Sequence, residues 1–308
     1  MKVLICGGSG FIGSALTRSL LADGHQIYIT TRDPARATLP AGSQAIGWDG
    51  GSSKGWLDVF SDMDAVVNLA GESLSHWPWN EAQKQRIRKS RVDIGKAIAL
   101  AFQQAKKRPS ILIQSSGIGY YGPSGSEHLT EESPVGHDFI ASVATDWEAS
   151  SAAVDAFPDV RRVVIRTALV LDKRQGVLPL MALPVKLFAG GPLGNGRQIV
   201  SWIHIDDELS AIRFLIENPQ ARGAFNLSSP HPLSNADFIR ALAKALTRPY
   251  WMPAPAFALR LLLGEMSTLL LDGQYVLPQR LTALGFVFRY ETVEQALGAL
   301  FTEVGSGA

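Results

Sequence analysis

Within its first sixteen residues the chain passes from a buried strand through a glycine turn into a helix, and no other stretch restricts its possible folds as strongly. Lys2 to Cys6 is a short apolar run suited to a strand covered on both faces. Phe11, Ile12, Ala15, Leu16 and Leu20 follow at helical spacing. Gly7 suits the positive φ of a tight turn, Gly10 leaves room for a pyrophosphate, and Gly13 lets the helix pack closely on the strand. Unpaired N–H groups and the positive end of the helix dipole would then face the phosphates. With 29 glycines in the chain such a triplet can arise by chance; the strand before it and the helix after it give it meaning. The contacts expected here for a dinucleotide are Gly7, Gly10, Phe11, Ile12 and Gly13.

The next strand, Ile27 to Arg32, ends where the adenosine ribose of such a ligand would lie. An NAD site places an acid there, whereas Thr31 and Arg32 offer a hydroxyl and a cation that suit a 2′-phosphate. This favours NADP over NAD, although Asp33, one residue on, could still take the ribose. Asp64 to Gly71 reads as another buried strand ending in small residues, which makes Asn68, Ala70 and Gly71 candidate cofactor contacts.

Further along, strands and helices alternate. Ala45 to Trp48 is a plausible strand. Asn80 and Gln83 mark a capped helix running to Gln104, Ser110 to Ser116 a strand, Asp138 to Phe157 a helix and Arg161 to Thr167 a strand, and the polar, glycine-rich loop from Gly117 to Asp138 is long and flexible enough to act as a lid over a substrate. The alternation predicts an α/β fold with a doubly wound parallel sheet and right-handed crossovers. From Leu171 prolines and glycines break the rhythm. Asp206 or Asp207 should cap a helix to Asn218, Gly223 to Leu227 reads as a late strand, and the remainder is mainly helical, with Gly305 to Ala308 frayed. The expected division is a dinucleotide-binding domain over residues 1–170, to which 199–227 returns, and a smaller, mainly helical substrate region over 171–198 and 228–308.

Composition narrows the partners. A net charge of +1 gives no reason to expect nucleic acid or an anionic membrane, so a small-molecule substrate is the expected partner, with oligomeric state open. Cys6 is the only cysteine, which excludes an intrachain disulfide and fits a reducing, cytoplasmic compartment. The chain starts on a core strand, so no leader is expected. The apolar stretch Ala256 to Leu271 is cut by Arg260, Gly264 and Glu265, so no membrane span is expected either. The six histidines lack ligand spacing, and no metal is expected.

On the helix from Asn80, Arg91 shares a stripe with Ile87, Ile94 and Ile98 that should face the sheet. A buried arginine needs an anionic partner or a route to solvent, so Arg91 either points into the active-site cleft or snorkels.

The glycine turn, Asn68-Leu-Ala-Gly71, Ser115-Ser116 with Tyr120-Tyr121-Gly122, and Trp202-Ile-His-Ile-Asp-Asp207 together resemble the extended short-chain dehydrogenase/reductases. The likeness is closest to the atypical, NAD-dependent epimerase/dehydratase-like epimerase family proteins, and it runs from Met1 to about Leu300. The resemblance implies a Rossmann-type domain and, over about Pro253 to Leu297, that family's small helical C-terminal domain. It also implies a substrate-orienting serine, which Ser115 or Ser116 matches, and a tyrosine and lysine four residues apart on the next helix. No tyrosine here is followed four residues later by lysine. Registering that helix on Glu148 puts Ile140 and Ala144 in those places, and Asp93 stands where the family often has asparagine. A carbonyl reduction would still need a proton donor and a cation. Candidates are Tyr120 or Tyr121 as donor, Ser116 to polarise the carbonyl and Arg91 for the charge, while Glu72 reads either as an acid or base or as a solvated loop carboxylate. Two functions stay open: an NADP(H)-dependent oxidoreductase or epimerase of altered mechanism, and a non-catalytic NADP(H)-binding sensor or scaffold acting through a protein partner, with cell division as one setting.

Overall fold

The computed structural model describes residues 1–49 and 55–301, so the expected fraying of Gly305 to Ala308 lies outside the described residues. The first half lays down β1 (Lys2–Cys6), α1 (Phe11–Ala22), β2 (Gln26–Thr31), β3 (Gln44–Gly47), α2 (Leu57–Phe60), β4 (Ala65–Asn68), α3 (Glu81–Gln104), β5 (Ile111–Gly117), β6 (His128–Leu129) and α4 (Phe139–Ser150). Then follow β7 (Arg161–Thr167), β8 (Leu169–Leu171), α5 (Leu178–Lys186), β9 (Ile199–Val200), β10 (Trp202–His204), α6 (Ile205–Glu217), β11 (Gly223–Leu227), β12 (Leu233–Ser234) and α7 (Asn235–Ala245). The chain ends with α8 (Ala256–Leu263), α9 (Thr268–Leu271), β13 (Tyr275–Val276), α10 (Gln279–Ala283) and α11 (Val293–Phe301).

Seven strands form one parallel sheet in the order β11-β7-β5-β4-β1-β2-β3. Their apolar runs are explained by burial on both faces. Val3, Ile5, Ile113 and Ile165 pack with α1 and α6 on one side, and Leu4, Cys6, Val66 and Leu112 pack with α2 and α3 on the other. The strand order reverses between β1 and β4, which opens a crevice beyond their carboxyl ends. A third core holds α5, α7 and α11 around Trp202, Phe238 and Leu297.

The return of the chain to the sheet is made by α6 and β11. Residues 199–204 join other partners, with β9 antiparallel to β12 and β10 parallel to β8. Three local expectations change. The α6 cap is His204 rather than an aspartate, its Nδ1 accepting the Asp206 N–H at 3.1 Å. Asp207 instead turns to the C-terminal segment and accepts the Arg289 and Tyr290 N–H groups at 2.8 and 3.0 Å. The helix expected to reach Phe157 stops at Ser150, followed by a 3-10 turn over Ala152–Ala156. The stretch from Gly117 to Asp138 is also no free lid. β6 pairs with β13, the Gly136 N–H reaches Tyr120 O at 2.9 Å, and Glu131 Oε1 accepts N–H groups from Asn226 and Arg280 at 3.0 and 3.3 Å. No described helix is long and apolar enough to cross a membrane.

Candidate functional site

The glycine turn sits at the crevice. Gly7 has φ 83°, and a side chain there would meet the Ala70 backbone at 2.8 Å, so β1 and the β4 exit lie almost in contact. A Cβ on Gly13 would stand 2.2 Å from Gly7 O, which locks α1 onto the turn. Gly10 differs: it begins α1 with no side-chain cap, and a Cβ there would touch only Gly7 O, at 3.3 Å. The first-turn N–H groups of α1 thus open onto free space, the arrangement that receives an anion. The side chains of Phe11 and Ile12 are half-buried against the core, which holds the helix in place, and Gly176 lies over the Phe11 ring. Gly8, which sequence reasoning passed over, is also required, because its Cβ would strike the Ile29 side chain at 2.8 Å.

At the end of β2, Thr31 is half-buried and Arg32 exposed. Asp33 is occupied in its own turn: Oδ1 accepts the Ala35 N–H at 3.2 Å, and Oδ2 lies 3.6 Å from Arg36 Nε. Arg32 has no hydrogen bond or ion pair among the described residues. At the end of β4 the side chain of Asn68 is fully buried and turned to the protein, donating to Gln114 Oε1 at 3.0 Å and accepting the Ala70 N–H at 3.3 Å. It shapes the strand exit. Ala70 is half-buried against the core on the α2 and α3 side, and Gly71 is exposed.

Gly71 serves Arg91, whose guanidinium carbon would lie 3.0 Å from a Cβ at that position. Arg91 is 8% exposed, donates to Ile87 O at 3.0 Å and lies 4.9 Å from the Trp147 ring. Burial lowers its pKa to about 10, against the pull of the Glu72 carboxylate. No carboxylate pairs with it directly among the described residues, so a cation is held beside the strand end with donors to spare. Glu72 in turn is half-buried, with Oε1 2.8 Å from His76 Nδ1 and its own N–H on Ser90 Oγ at 2.9 Å. The hydrogen bond from His76, before any other influence, holds this carboxyl below its ordinary range. Glu72 is therefore a paired group rather than a free loop carboxylate, and the histidine gave no signal in the sequence.

The two serines of β5 point to opposite faces, as strand alternation requires. Ser116 Oγ donates to Glu148 Oε1 at 2.8 Å, and Glu148 is gripped by Arg166 through Nε and Nη2 at 2.8 and 2.9 Å. Arg166 reaches on to the Tyr121 hydroxyl at 3.0 Å, which donates to Asn226 Oδ1 at 2.6 Å, and its guanidinium lies 3.4 Å from the centre of the Tyr120 ring. Burial opposes the charge on Arg166, but the Glu148 carboxylate more than offsets this and holds it cationic. Burial also pushes the Tyr121 hydroxyl up to about 12, although Arg166 pulls the other way. Tyr121 and Ser116 are thus committed to a structural network. Ser115 and Tyr120 keep hydroxyls with no hydrogen bond among the described residues. Arg91 touches neither tyrosine; α4 is what they share, with Trp147 against Arg91 and Glu148 on Arg166. Where a tyrosine and lysine were expected on this helix, Ile140 packs with Leu74, Trp79 and Phe139, and Ala144 is buried.

Beneath β7, Glu208 is wholly buried on the first turn of α6. Its Oε1 accepts from Thr167 Oγ1 at 2.9 Å, and its Oε2 has no partner. Burial raises this carboxyl to about 8, the Thr167 bond offsetting only part of the effect. No group of three or more potential metal-ligating side chains occurs among the described residues.

A parallel sheet with its switch point over an uncapped, glycine-lined helix start defines a doubly wound α/β protein built to hold a dinucleotide. The chain belongs to the NAD dependent epimerase/dehydratase family, whose model matches residues 3–228, and residues 254–300 match a domain of unknown function, DUF1731. It is 38% identical over 304 residues to the epimerase family protein SDR39U1 homolog, chloroplastic, of Arabidopsis thaliana, covering 97% of this chain and 86% of that one. It is 37% identical to the epimerase family protein YfhF of Bacillus subtilis, covering 98% and 99%. Among solved structures it resembles the human epimerase family protein SDR39U1 (isoform 2) with NADPH, at a TM-score of 0.86 and 31% identity, covering 99% of this chain and 100% of that one. A UDP-glucose 4-epimerase of Thermus thermophilus in complex with NAD shares the fold, with a TM-score of 0.75 and 17% identity over 99% and 100% of the two chains.

Proposed function

We propose that this protein binds NADP(H) and acts as an oxidoreductase or epimerase-type enzyme on a small carbonyl or hydroxyl compound, without the tyrosine and lysine of the wider superfamily. The observation that carries the nucleotide reading is the unpaired Arg32 at the end of β2, beside an Asp33 already engaged with Arg36. The residues fit the group: Gly10 leaves space over the N-terminus of α1 for a diphosphate, and Arg32 suits the 2′-phosphate that distinguishes NADP from NAD. The similarity to the human protein solved with NADPH supports the same choice. NADPH should bind more tightly than NADH in calorimetry, and Arg32→Ala should remove the difference, about 1.5–3 kcal/mol for a charge-assisted contact. Equal affinities for the wild type would overturn this assignment.

The nicotinamide, when bound, supplies the hydride. The chain's part is to hold the diphosphate, to offer the Arg91 cation beside Gly71 to an oxygen gaining negative charge, and to hydrogen-bond that oxygen through Tyr120. In assays of cofactor oxidation over small carbonyl compounds and nucleotide sugars, Tyr120→Phe should lose turnover while keeping NADPH affinity. The hydrocarbon at Ile140 and Ala144 favours a second reading, a non-catalytic NADP(H) sensor acting through a protein partner. A wild type that turns over nothing across the panel yet binds NADPH would put that reading first.

A further inference from the structure

Two arginines are buried among the described residues, Arg166 at 5% exposure and Arg91 at 8%, and their surroundings differ. Arg166 is answered by both oxygens of the Glu148 carboxylate. Arg91 makes one hydrogen bond, from Nη1 to the Ile87 carbonyl, and no ion pair. The acid within electrostatic reach of it, Glu72, is drawn off to His76 at 2.8 Å. Taking a cation out of water without a counter-charge destabilises a fold, so its retention needs a cause.

The guanidinium is held in place. The centre of the Trp147 ring lies 4.9 Å from its Cζ, and the Ile87 carbonyl fixes Nη1 at 3.0 Å. The free donors are Nε and Nη2, which lie side by side along one edge and match two oxygens at once. Neither is sealed from solvent. Gly71, exposed and just past the end of β4, leaves the room: a Cβ there would stand 3.0 Å from Cζ and 3.3 Å from Nε. The fork therefore lies at the carboxyl end of β4, which borders the reversal of strand order.

Resting on the NADPH-dependent reduction proposed above, we infer that the Nε–Nη2 edge of Arg91 receives two neighbouring oxygens of a 2-oxo acid, one from the carbonyl and one from the carboxylate. A simple ketone would engage one donor and leave the cation unpaired. In a 2-oxo acid the two oxygens sit on adjacent carbons, coplanar and spaced for the fork, and the carboxylate supplies the missing charge. The carbonyl carbon takes the hydride of NADPH, which becomes NADP⁺. The carbonyl oxygen takes the Tyr120 hydroxyl proton, which water replaces, and the product is the 2-hydroxy acid.

Calorimetry of the NADPH-loaded full chain with oxamate, an unreactive isostere of a 2-oxo acid, tests this without turnover. Oxamate should bind, and uncharged oxamide should bind about tenfold more weakly or worse. Arg91→Met should weaken oxamate binding by at least about thirtyfold, and Arg91→Lys by about tenfold, because the charge remains without the fork. Gly71→Ala changes no charge and should also weaken it, by crowding Cζ and Nε. Lys89→Met removes the same charge from the same helix, at a lysine paired with Asp93, and should leave oxamate binding unchanged. NADPH affinity, measured for every variant, reports on the fold and on the nucleotide site. A wild type that binds NADPH but gives no heat with oxamate at about ten millimolar overturns the inference and leaves the nucleotide reading standing. A wild type that binds no NADPH removes the nucleotide reading and this one with it. Oxamate binding that survives Arg91→Met or is lost in Lys89→Met overturns the inference, as does an Arg91→Met variant that loses NADPH instead of oxamate, which would give the cation to a cofactor phosphate.

Discussion

Gly10→Val is expected to abolish nucleotide binding and leave the protein folded. The three glycines of the turn do different work, and only one of them faces outward. Side chains at Gly7 and Gly13 would collide with backbone of the chain itself, at 2.8 and 2.2 Å, so substitution there disrupts the joint between β1, β4 and α1. A side chain at Gly10 meets one carbonyl at 3.3 Å and otherwise projects into the space over the helix start. That space is where the diphosphate would sit, and a valine would fill it, with an expected loss of more than about a hundredfold in affinity. Circular dichroism and an NADPH titration on one sample separate the outcomes: undiminished binding would show that the phosphates lie elsewhere, and loss of fold would show that Gly10 serves packing. Gly13→Val should fail in the opposite way, losing the fold first.

The second large effect concerns stability against pH. Glu208 holds its proton in the folded protein to about pH 8, whereas the unfolded chain releases it near pH ~4.3. Between those values the folded state binds more protons than the unfolded state, so the stability of the wild type falls as pH rises from about 4 to 8. Glu208→Gln stays neutral throughout. Its carbonyl can still accept from Thr167, so it should be more stable than wild type at pH 8 by on the order of 3–5 kcal/mol, with the gap closing towards pH 5. Thermal melts of both proteins across that range provide the check, and parallel curves would show that the carboxyl ionises without penalty. Asp207 and Glu131 are also raised by burial, so part of the slope should persist in the variant.

The sheet was legible because its strands are short apolar runs bounded by turns, and burial on both faces leaves that mark whatever the order of strands. The phosphate turn was legible because glycine is needed where backbone meets backbone. Arg91 stood out by its phase on a helix, and it is indeed buried beside Gly71. The roles of Tyr121 and Ser116 could not be read in this way, because each is decided by a partner far along the chain: Asn226 lies 105 residues from Tyr121, and Glu148 lies 32 from Ser116. Arg166 occupies an ordinary strand-end position, and nothing local announces that it ties Glu148, Tyr120 and Tyr121 together. The loop from Gly117 to Asp138 read as a lid because it is polar and rich in glycine. Glu131 and the β6 pairing pin it, and those contacts are made with residues more than ninety positions away.

Asp207 and Glu131 hold more than themselves. Each is a buried carboxyl whose hydrogen-bond donors are backbone groups from later in the chain, at Arg289 and Tyr290 for one and at Asn226 and Arg280 for the other. If the residues beyond 228 lifted away, Asp207 would be left in the interior without these donors and Glu131 would keep only the Asn226 N–H, a state more costly than the loss of the contacts alone. The boundary expected near residue 228 is therefore not a seam in the energetics. Amides around Arg289 should exchange their hydrogens only when the sheet itself opens, as members of one cooperative unit rather than of a tethered appendage.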